Sequence, residues 1–138
     1  MSVALLLITH SDIGKTVHDA AVSVIGSSPL RTQFLSVNAN SKPDEMISNA
    51  QALVASLDTG SGVLILTDMF GSTPSNIACA LQNKNVAIIA GLNLPMLIRI
   101  LNYPNLTLPQ LANKAVSGGQ EGVIFFHPAS NPDVAQGS

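Results

Sequence analysis

The stretch VALLLITHSDIGKTVHDAAVSVIG, residues 3–26, joins two different hydrophobic patterns. Its first part, VALLLIT over residues 3–9, is a continuous apolar run of strand length, which is typical of a strand covered on both faces. The part that follows places apolar side chains on one helical stripe, with Ser11 or Asp12 as the expected N-cap and Gly26 just beyond the end. A buried strand followed at once by an amphipathic helix predicts one unit of an α/β fold.

The same alternation continues along the rest of the chain. Further strands are predicted over residues 31–37, 62–67, 85–91 and 122–126, and further helices over residues 42–57, 73–82, 95–102 and 109–119. Because strands joined by helices form right-handed crossovers, the strands should run parallel. We therefore predict an open three-layer α/β sandwich, with a mainly parallel sheet, helices on both faces and the last strand (122–126) at the edge.

Length and composition limit the chain to one domain and exclude several classes of function. Of the 138 residues, 46% are hydrophobic, which suffices for one core over residues 1–127, and the polar ending HPASNPDVAQGS predicts a flexible tail over residues 128–138. Charged residues make up only 10% and the net charge is −2, so we expect no nucleic-acid partner. The first residues lack a basic leader and no run reaches membrane-spanning length, so we expect a cytoplasmic chain without direct membrane insertion.

Cofactor-binding patterns are missing from the sequence. The three histidines, His10, His18 and His127, have no metal-ligand spacing, and no glycine-rich nucleotide motif occurs. We therefore expect neither a metal nor another cofactor. Cys79, the single cysteine, lies in the helical stretch NIACAL and is expected to be a small buried hydrophobe that forms no internal disulfide.

Two polar residues that end separate strands are the first candidates for chemistry. In an open α/β sheet the site lies beyond the carboxyl ends of the strands where the strand order reverses, commonly between the first and third strands. His10 follows the first predicted strand and Asp68 follows the third, so we expect them to be neighbours. Helix N-termini near Ser11 and at Thr73, which we expect to cap its helix, would offer free amides to an anion at the same edge.

This combination suits phosphoryl transfer on a histidine. A neutral imidazole nitrogen is a competent nucleophile when the other ring nitrogen donates to a carboxylate, and hydroxyls are available at Ser72 and Thr73. Ordinary structural roles stay open for each residue: His10 as a satisfied polar group, Asp68 as the cap of a turn, and Ser72 and Thr73 as helix caps. His18 and His127 are expected to be structural or solvated.

Four segments together resemble a known family. They are LLITHSDIG (6–14), GVLILTDMFGSTPSN (62–76), IIAGLNLPML (88–97) and GGQEGV (118–123). A Thr-His after the first strand, Asp-x-x-Gly-x-[ST]-Pro-x-Asn after the third and then Gly-x-Asn-x-Pro-Met form a specific combination. The chain resembles the enzyme IIA domain of the mannose family of the bacterial phosphoenolpyruvate-dependent sugar phosphotransferase system, over about residues 3–126.

The resemblance implies roles for three residues. His10 corresponds to the phosphorylated histidine, Asp68 to the carboxylate that orients it, and Thr73 to the hydroxyl residue of the family motif near the phosphoryl group. We expect Ser11 and Ser72 to bind the phosphoryl group beside Thr73. Ser11 and Ser72 stand where the family commonly has glycine, which permits backbone angles that serine resists.

The resemblance also implies partners and an assembly. Members accept a phosphoryl group from the phosphohistidine carrier protein HPr, pass it to a histidine of a IIB domain, and form homodimers in which a strand such as 122–126 pairs across the two subunits. Here the protein that receives the phosphoryl group would be a separate IIB subunit, and the sequence of this chain does not identify the sugar. Two other functions stay open: a regulatory protein whose phosphorylation state is read by a partner without sugar transport, and the phosphotransferase subunit of a dihydroxyacetone kinase.

Overall fold

A computed structural model describes residues 2–81 and 83–128, and within them the chain forms four strands and five helices. The strands are β1 (Ala4–His10), β2 (Thr32–Val37), β3 (Val63–Thr67) and β4 (Val86–Ala90). The helices are α1 (Ile13–Ile25), α2 (Pro43–Leu57), α3 (Thr73–Cys79), α4 (Leu94–Leu101) and α5 (Leu108–Glu121). All strand pairs are parallel and their order is β2-β1-β3-β4, which confirms the predicted α/β fold.

Helices cover both faces of the sheet. On β1, Leu5 and Leu7 face one core that includes buried side chains of α1, α4 and α5. The alternate residues Leu6 and Ile8 face a second core, closed by α2 and α3. Because successive side chains of a strand point to opposite faces, a central strand between two helical layers needs the continuous apolar run that the sequence has.

The strand order places the ends of β1 and β3 side by side. From β1 the chain moves outward to β2 and then returns past β1 to β3, so the direction of winding reverses between β1 and β3. Ile8 is in register with Thr67 across this pair, and His10 is in register with Val37 of β2. The carboxyl ends of three neighbouring strands therefore meet at one edge, as ligand sites of doubly wound sheets require.

The start of α1 lies close against β1. A Cβ atom at Gly14 would be 3.0 Å from Cβ of Leu7, so this position has room for glycine alone without a shift. The Gly14 N–H donates to Oγ1 of Thr9 at 2.9 Å. Asp12 occupies the N-cap position but makes no side-chain cap; its carboxylate accepts from the Ser36 hydroxyl at 2.8 Å. The helix therefore begins directly behind the end of β1.

Three expectations about α3 are wrong: its end, its N-cap residue and the burial of Cys79. The helix ends at Cys79 and not at residue 82, and Ser72, not Thr73, occupies its N-cap position. Cys79 is exposed, because Ile77 and Ala78 already turn toward the core and the next residue around the helix faces outward.

The predicted edge strand over residues 122–126 is also wrong for the single chain. Helix α5 continues to Glu121, and the residues after it pair with no strand among those that the structure describes. Val123, Ile124, Phe125 and Phe126 are 60–76% exposed. Of the tail predicted for residues 128–138, all but Pro128 lies outside the described residues.

No helix in residues 2–81 and 83–128 is long and apolar enough to cross a membrane.

His18 of α1 is a packing residue. It is 8% exposed, its ring meets Phe34 of β2 edge-on at 5.3 Å, and its Nε2 lies 3.4 Å from the Ser28 hydroxyl. Burial lowers the pKa of His18, Asp19 opposes that shift and Lys15 adds to it. His18 is therefore neutral in the folded protein at neutral pH, as a structural histidine beside an aromatic ring should be.

This burial predicts a pH-dependent stability. The pKa of His18 lies below the ordinary value of 6.5, so the unfolded chain binds a proton that the folded chain does not as the pH falls through that value. We expect the free energy of unfolding to fall between about pH 7.5 and about pH 5.5, and to fall less in His18→Gln. Urea denaturation at both pH values measures this, and an equal fall in both proteins would refute it.

Candidate functional site

A short hydrogen bond joins the ends of β1 and β3. Nδ1 of His10 lies 2.7 Å from Oδ2 of Asp68, and the backbone N–H of His10 donates to the same oxygen at 3.3 Å. The Asp68 side chain is 13% exposed and that of His10 is 44% exposed. An ionised carboxylate can only accept, so the pair favours the imidazole with its proton on Nδ1 and a lone pair on Nε2. The predicted closeness of His10 and Asp68 is thus found in the fold.

Backbone contacts on both sides of Asp68 fix its position at the end of β3. The carbonyl of Thr67, the last residue of β3, accepts from the backbone N–H groups of Gly91 and Leu92, each at 3.0 Å. After Asp68 the chain turns at Gly71, whose φ of +83° is in the left-handed region. The Ser72 hydroxyl donates to the Met69 carbonyl at 2.6 Å and closes the turn.

The other side of His10 opens into a cleft of about 390 Å³. Eight residues line it: His10, Ser11, Val37, Asn38, Ala39, Ser41, Pro43 and Thr73. Of the three hydroxyl residues expected around the site, Ser11 and Thr73 line the cleft, whereas Ser72 does not and uses its hydroxyl within its own turn. None of these eight described lining residues is Lys or Arg.

Ser11 has an unusual backbone conformation. Its φ is +46°, which places a non-glycine residue in the left-handed region. Its backbone N–H donates to the Val37 carbonyl at 2.9 Å, and its hydroxyl lies 3.5 Å from Oδ1 of Asn38. The resemblance leads one to expect glycine at this position, and the backbone there does adopt a left-handed conformation. In this chain the residue is serine, and its hydrogen bond to the end of β2 stabilises that conformation.

The loop between β2 and α2 is the part of the site that the sequence reasoning missed. Asn38, Ala39 and Ser41 line the cleft although none was singled out. A signal was available, because β2 also ends at this edge and is the neighbour of β1. To use this signal one must know the strand order, which the hydrophobic pattern alone does not give.

No group of three or more His, Cys, Asp or Glu side chains that could hold a metal ion occurs in the part of the chain that the structure describes. The site is built instead from one imidazole, one carboxylate, and hydroxyl and amide groups. Such a set can bind an anion through neutral donors and present a nucleophilic nitrogen to it.

Comparison with known proteins identifies the family of the chain. The chain matches the EIIA-man family, described as "PTS system fructose IIA component", over residues 4–116. It is 28% identical over 127 residues to the PTS system mannose-specific EIIAB component of Escherichia coli strain K12, a match that covers 89% of this chain and 39% of that relative. It is 27% identical over 114 residues to the PTS system sorbose-specific EIIA component of Lacticaseibacillus casei, covering 79% of this chain and 80% of that relative.

The fold is also similar to that of a solved structure. The mannose/sorbose specific IIA subunit of the phosphotransferase system from Enterococcus faecalis superimposes with a TM-score of 0.76 at 24% identity, over 95% of this chain and 99% of that one. The chain spans less than half the length of the two-part E. coli relative, 39%, and most of the single IIA component from L. casei, 80%. Since the family match extends over most of the 138 residues, the chain belongs to the EIIA-man family of IIA components of the sugar phosphotransferase system.

Proposed function

We propose that this chain carries a phosphoryl group on Nε2 of His10, accepts it from phosphorylated HPr and passes it to a histidine of a separate IIB subunit in the cytoplasm. The observation that carries the proposal is the 2.7 Å contact between Nδ1 of His10 and the largely buried carboxylate of Asp68. It assigns one ring nitrogen to the carboxylate and leaves the other for chemistry. An exposed ring with one nitrogen held by a carboxylate is the arrangement that a histidine nucleophile needs.

The transfer step follows from this geometry. The lone pair of Nε2 attacks the phosphorus atom, the new N–P bond forms, and the N–P bond on the HPr histidine breaks with its electron pair returning to that ring. Positive charge develops on the His10 ring, and Asp68 stabilises it through the Nδ1–H bond. The Thr73 hydroxyl, which lines the cleft, is a donor for the phosphoryl oxygens, and the Ser11 hydroxyl lies in the same lining. Transfer to IIB is the same step in reverse, with the IIB histidine as the nucleophile.

Apolar side chains beside the site support a protein as donor and receiver. Met69 and Phe70, directly after Asp68, are 57% and 79% exposed, and Ile13 at the start of α1 is 43% exposed. Exposed apolar groups around a polar centre are typical of a surface that a partner protein covers. Such a partner would also exclude water from a labile N–P bond during the transfer.

The test is a phosphorylation assay with HPr. His10→Ala should take up no label, because it lacks the nucleophile. Asp68→Asn should transfer about tenfold more slowly or worse, since a neutral amide does not compensate the ring charge. The label should be lost in acid and survive in base, as expected of a phosphoramidate and not of a phosphoserine. Rapid-quench rates and mass spectrometry at neutral pH measure both effects.

His127→Ala and His18→Gln are the matched controls and should label like the wild type; glutamine is chosen because His18 is buried. Label that persists in His10→Ala would refute the proposal. A wild-type protein that accepts label but passes none to IIB would leave the carrier histidine standing and favour the regulatory role over sugar transport.

We also infer that the chain is a homodimer joined through residues 122–126. β4 pairs with β3 on one side only, and its other edge has no partner strand among residues 2–81 and 83–128. The four apolar residues 123–126 are exposed in the single chain, a poor arrangement in water. A second copy would satisfy both features if its apolar segment paired with the free edge.

Light scattering on two truncated chains tests the dimer. The full chain should be a dimer at micromolar concentration, and a chain that ends at Glu121 should be a monomer, because it lacks the apolar segment. A chain that ends at His127 keeps the segment and serves as the control, which should remain a dimer. A monomeric full chain, or a dimer that survives truncation at Glu121, would contradict the assignment.

A further inference from the structure

The loop after β2 supplies most of the wall of the His10 cleft. Five of the eight lining residues belong to the short segment from Val37 to Pro43. The proposed transfer step uses none of them. Among the eight, Asn38 is the one with a side-chain amide, a group that donates and accepts hydrogen bonds at once.

Hydrogen bonds hold the Asn38 backbone in place. Its N–H donates to the Ser41 hydroxyl at 2.9 Å, and its carbonyl accepts from the Ser41 N–H at 3.0 Å. The preceding residue, Val37, accepts from the N–H of Ser11 at 2.9 Å. The base of the Asn38 side chain is thereby fixed relative to the loop that carries His10.

The two ends of the Asn38 amide have different surroundings. Oδ1 lies 3.5 Å from the Ser11 hydroxyl, which donates to it. Nδ2 makes no hydrogen bond to any residue in the described ranges 2–81 and 83–128. Since the oxygen end faces Ser11, the amide keeps two N–H donors for a group in the cleft.

The charge balance of the cleft makes such donors necessary. A phosphoryl group on His10 brings about two negative charges at neutral pH, and none of the eight described residues that line the cleft is Lys or Arg. Its oxygens must therefore be held by neutral N–H and O–H groups, which form charge-assisted bonds to an anion.

We propose that Asn38 is a phosphoryl-binding residue, whose Nδ2 donates to an oxygen of the phosphoryl group on His10 while its Oδ1 holds the Ser11 hydroxyl. This inference rests on His10 as the proposed carrier. It gives the single hydroxyl proton of Ser11 to Oδ1, so that Ser11 sets which end of the amide faces the cleft. Asn38 touches the transferred group directly, and Ser11 is a positioning residue.

The test labels His10 chemically, so that it does not depend on HPr. Phosphoramidate transfers its phosphoryl group to exposed imidazoles and releases ammonia. In a His127→Ala background His10 is the one exposed histidine of the three, because His18 is buried. Side-chain amide resonances are followed by ¹H–¹⁵N NMR before and after labelling. The Nδ2 protons of Asn38 should move downfield, as expected when a charge-assisted bond forms.

Asn40 is the matched control, because it is exposed in the same loop and does not line the cleft. Asn38→Asp should be labelled about tenfold more slowly, since a carboxylate repels the anionic reagent and offers no donor. Asn40→Asp carries the same change of charge and should be labelled at the wild-type rate. Asn38→Ala removes the donor without adding charge and should fall between them.

The inference is overturned if the Asn38 protons shift no more than those of Asn40, or if the two Asp variants are labelled at equal rates. A His10 that phosphoramidate does not label also overturns it. A His10 that is labelled chemically but not by HPr would refute the proposed function and leave the reading for Asn38 intact, so the two failures are distinguishable.

Discussion

The parallel pairing of β1 with both β2 and β3 is the constraint on which the site depends. It brings the carboxyl ends of three strands to one edge, so that His10, Asp68 and the loop at Asn38 meet although they are far apart in the sequence. The apolar run of β1 makes this central position possible, because both of its faces are buried under helices. Burial of the strand and placement of the reactive ring are thus two results of the same arrangement.

The chemistry that we propose for the site needs both partial burial and partial exposure. Asp68 is largely covered, which strengthens its bond to Nδ1, while the His10 ring reaches the surface, where a partner's histidine has access. The backbone N–H of His10 and the bonds around Thr67 and Gly71 fix the carboxylate before any phosphoryl group arrives. A ring and a carboxylate held in advance need little rearrangement during the transfer.

The alternation of strands and helices was sufficient to predict the fold class, and the closeness of His10 and Asp68 followed from the general rule that sites in such sheets commonly lie between the first and third strands. The prediction failed where the structure depends on the exact position of one residue around a helix, or on which element lies next to it. Cys79 was expected to be buried but faces outward, and the prediction failed because exposure depends on the exact place of a residue around a short helix. Residues 122–126 were predicted as a strand, but a strand needs a partner edge, and they have none among the described residues of the single chain. Asn38 was missed because its role depends on β2 being next to β1.

The tautomer of the His10 ring tests the central claim most directly. Two-bond ¹H–¹⁵N NMR of the unphosphorylated protein, at a pH where the ring is neutral, reports which nitrogen carries the proton. The hydrogen bond to Asp68 predicts a proton on Nδ1 and an unprotonated Nε2, and Asp68→Asn should weaken this preference. A neutral ring with its proton on Nε2 in the wild-type protein would contradict the account, because the nitrogen assigned to the phosphoryl group would then have no lone pair to give.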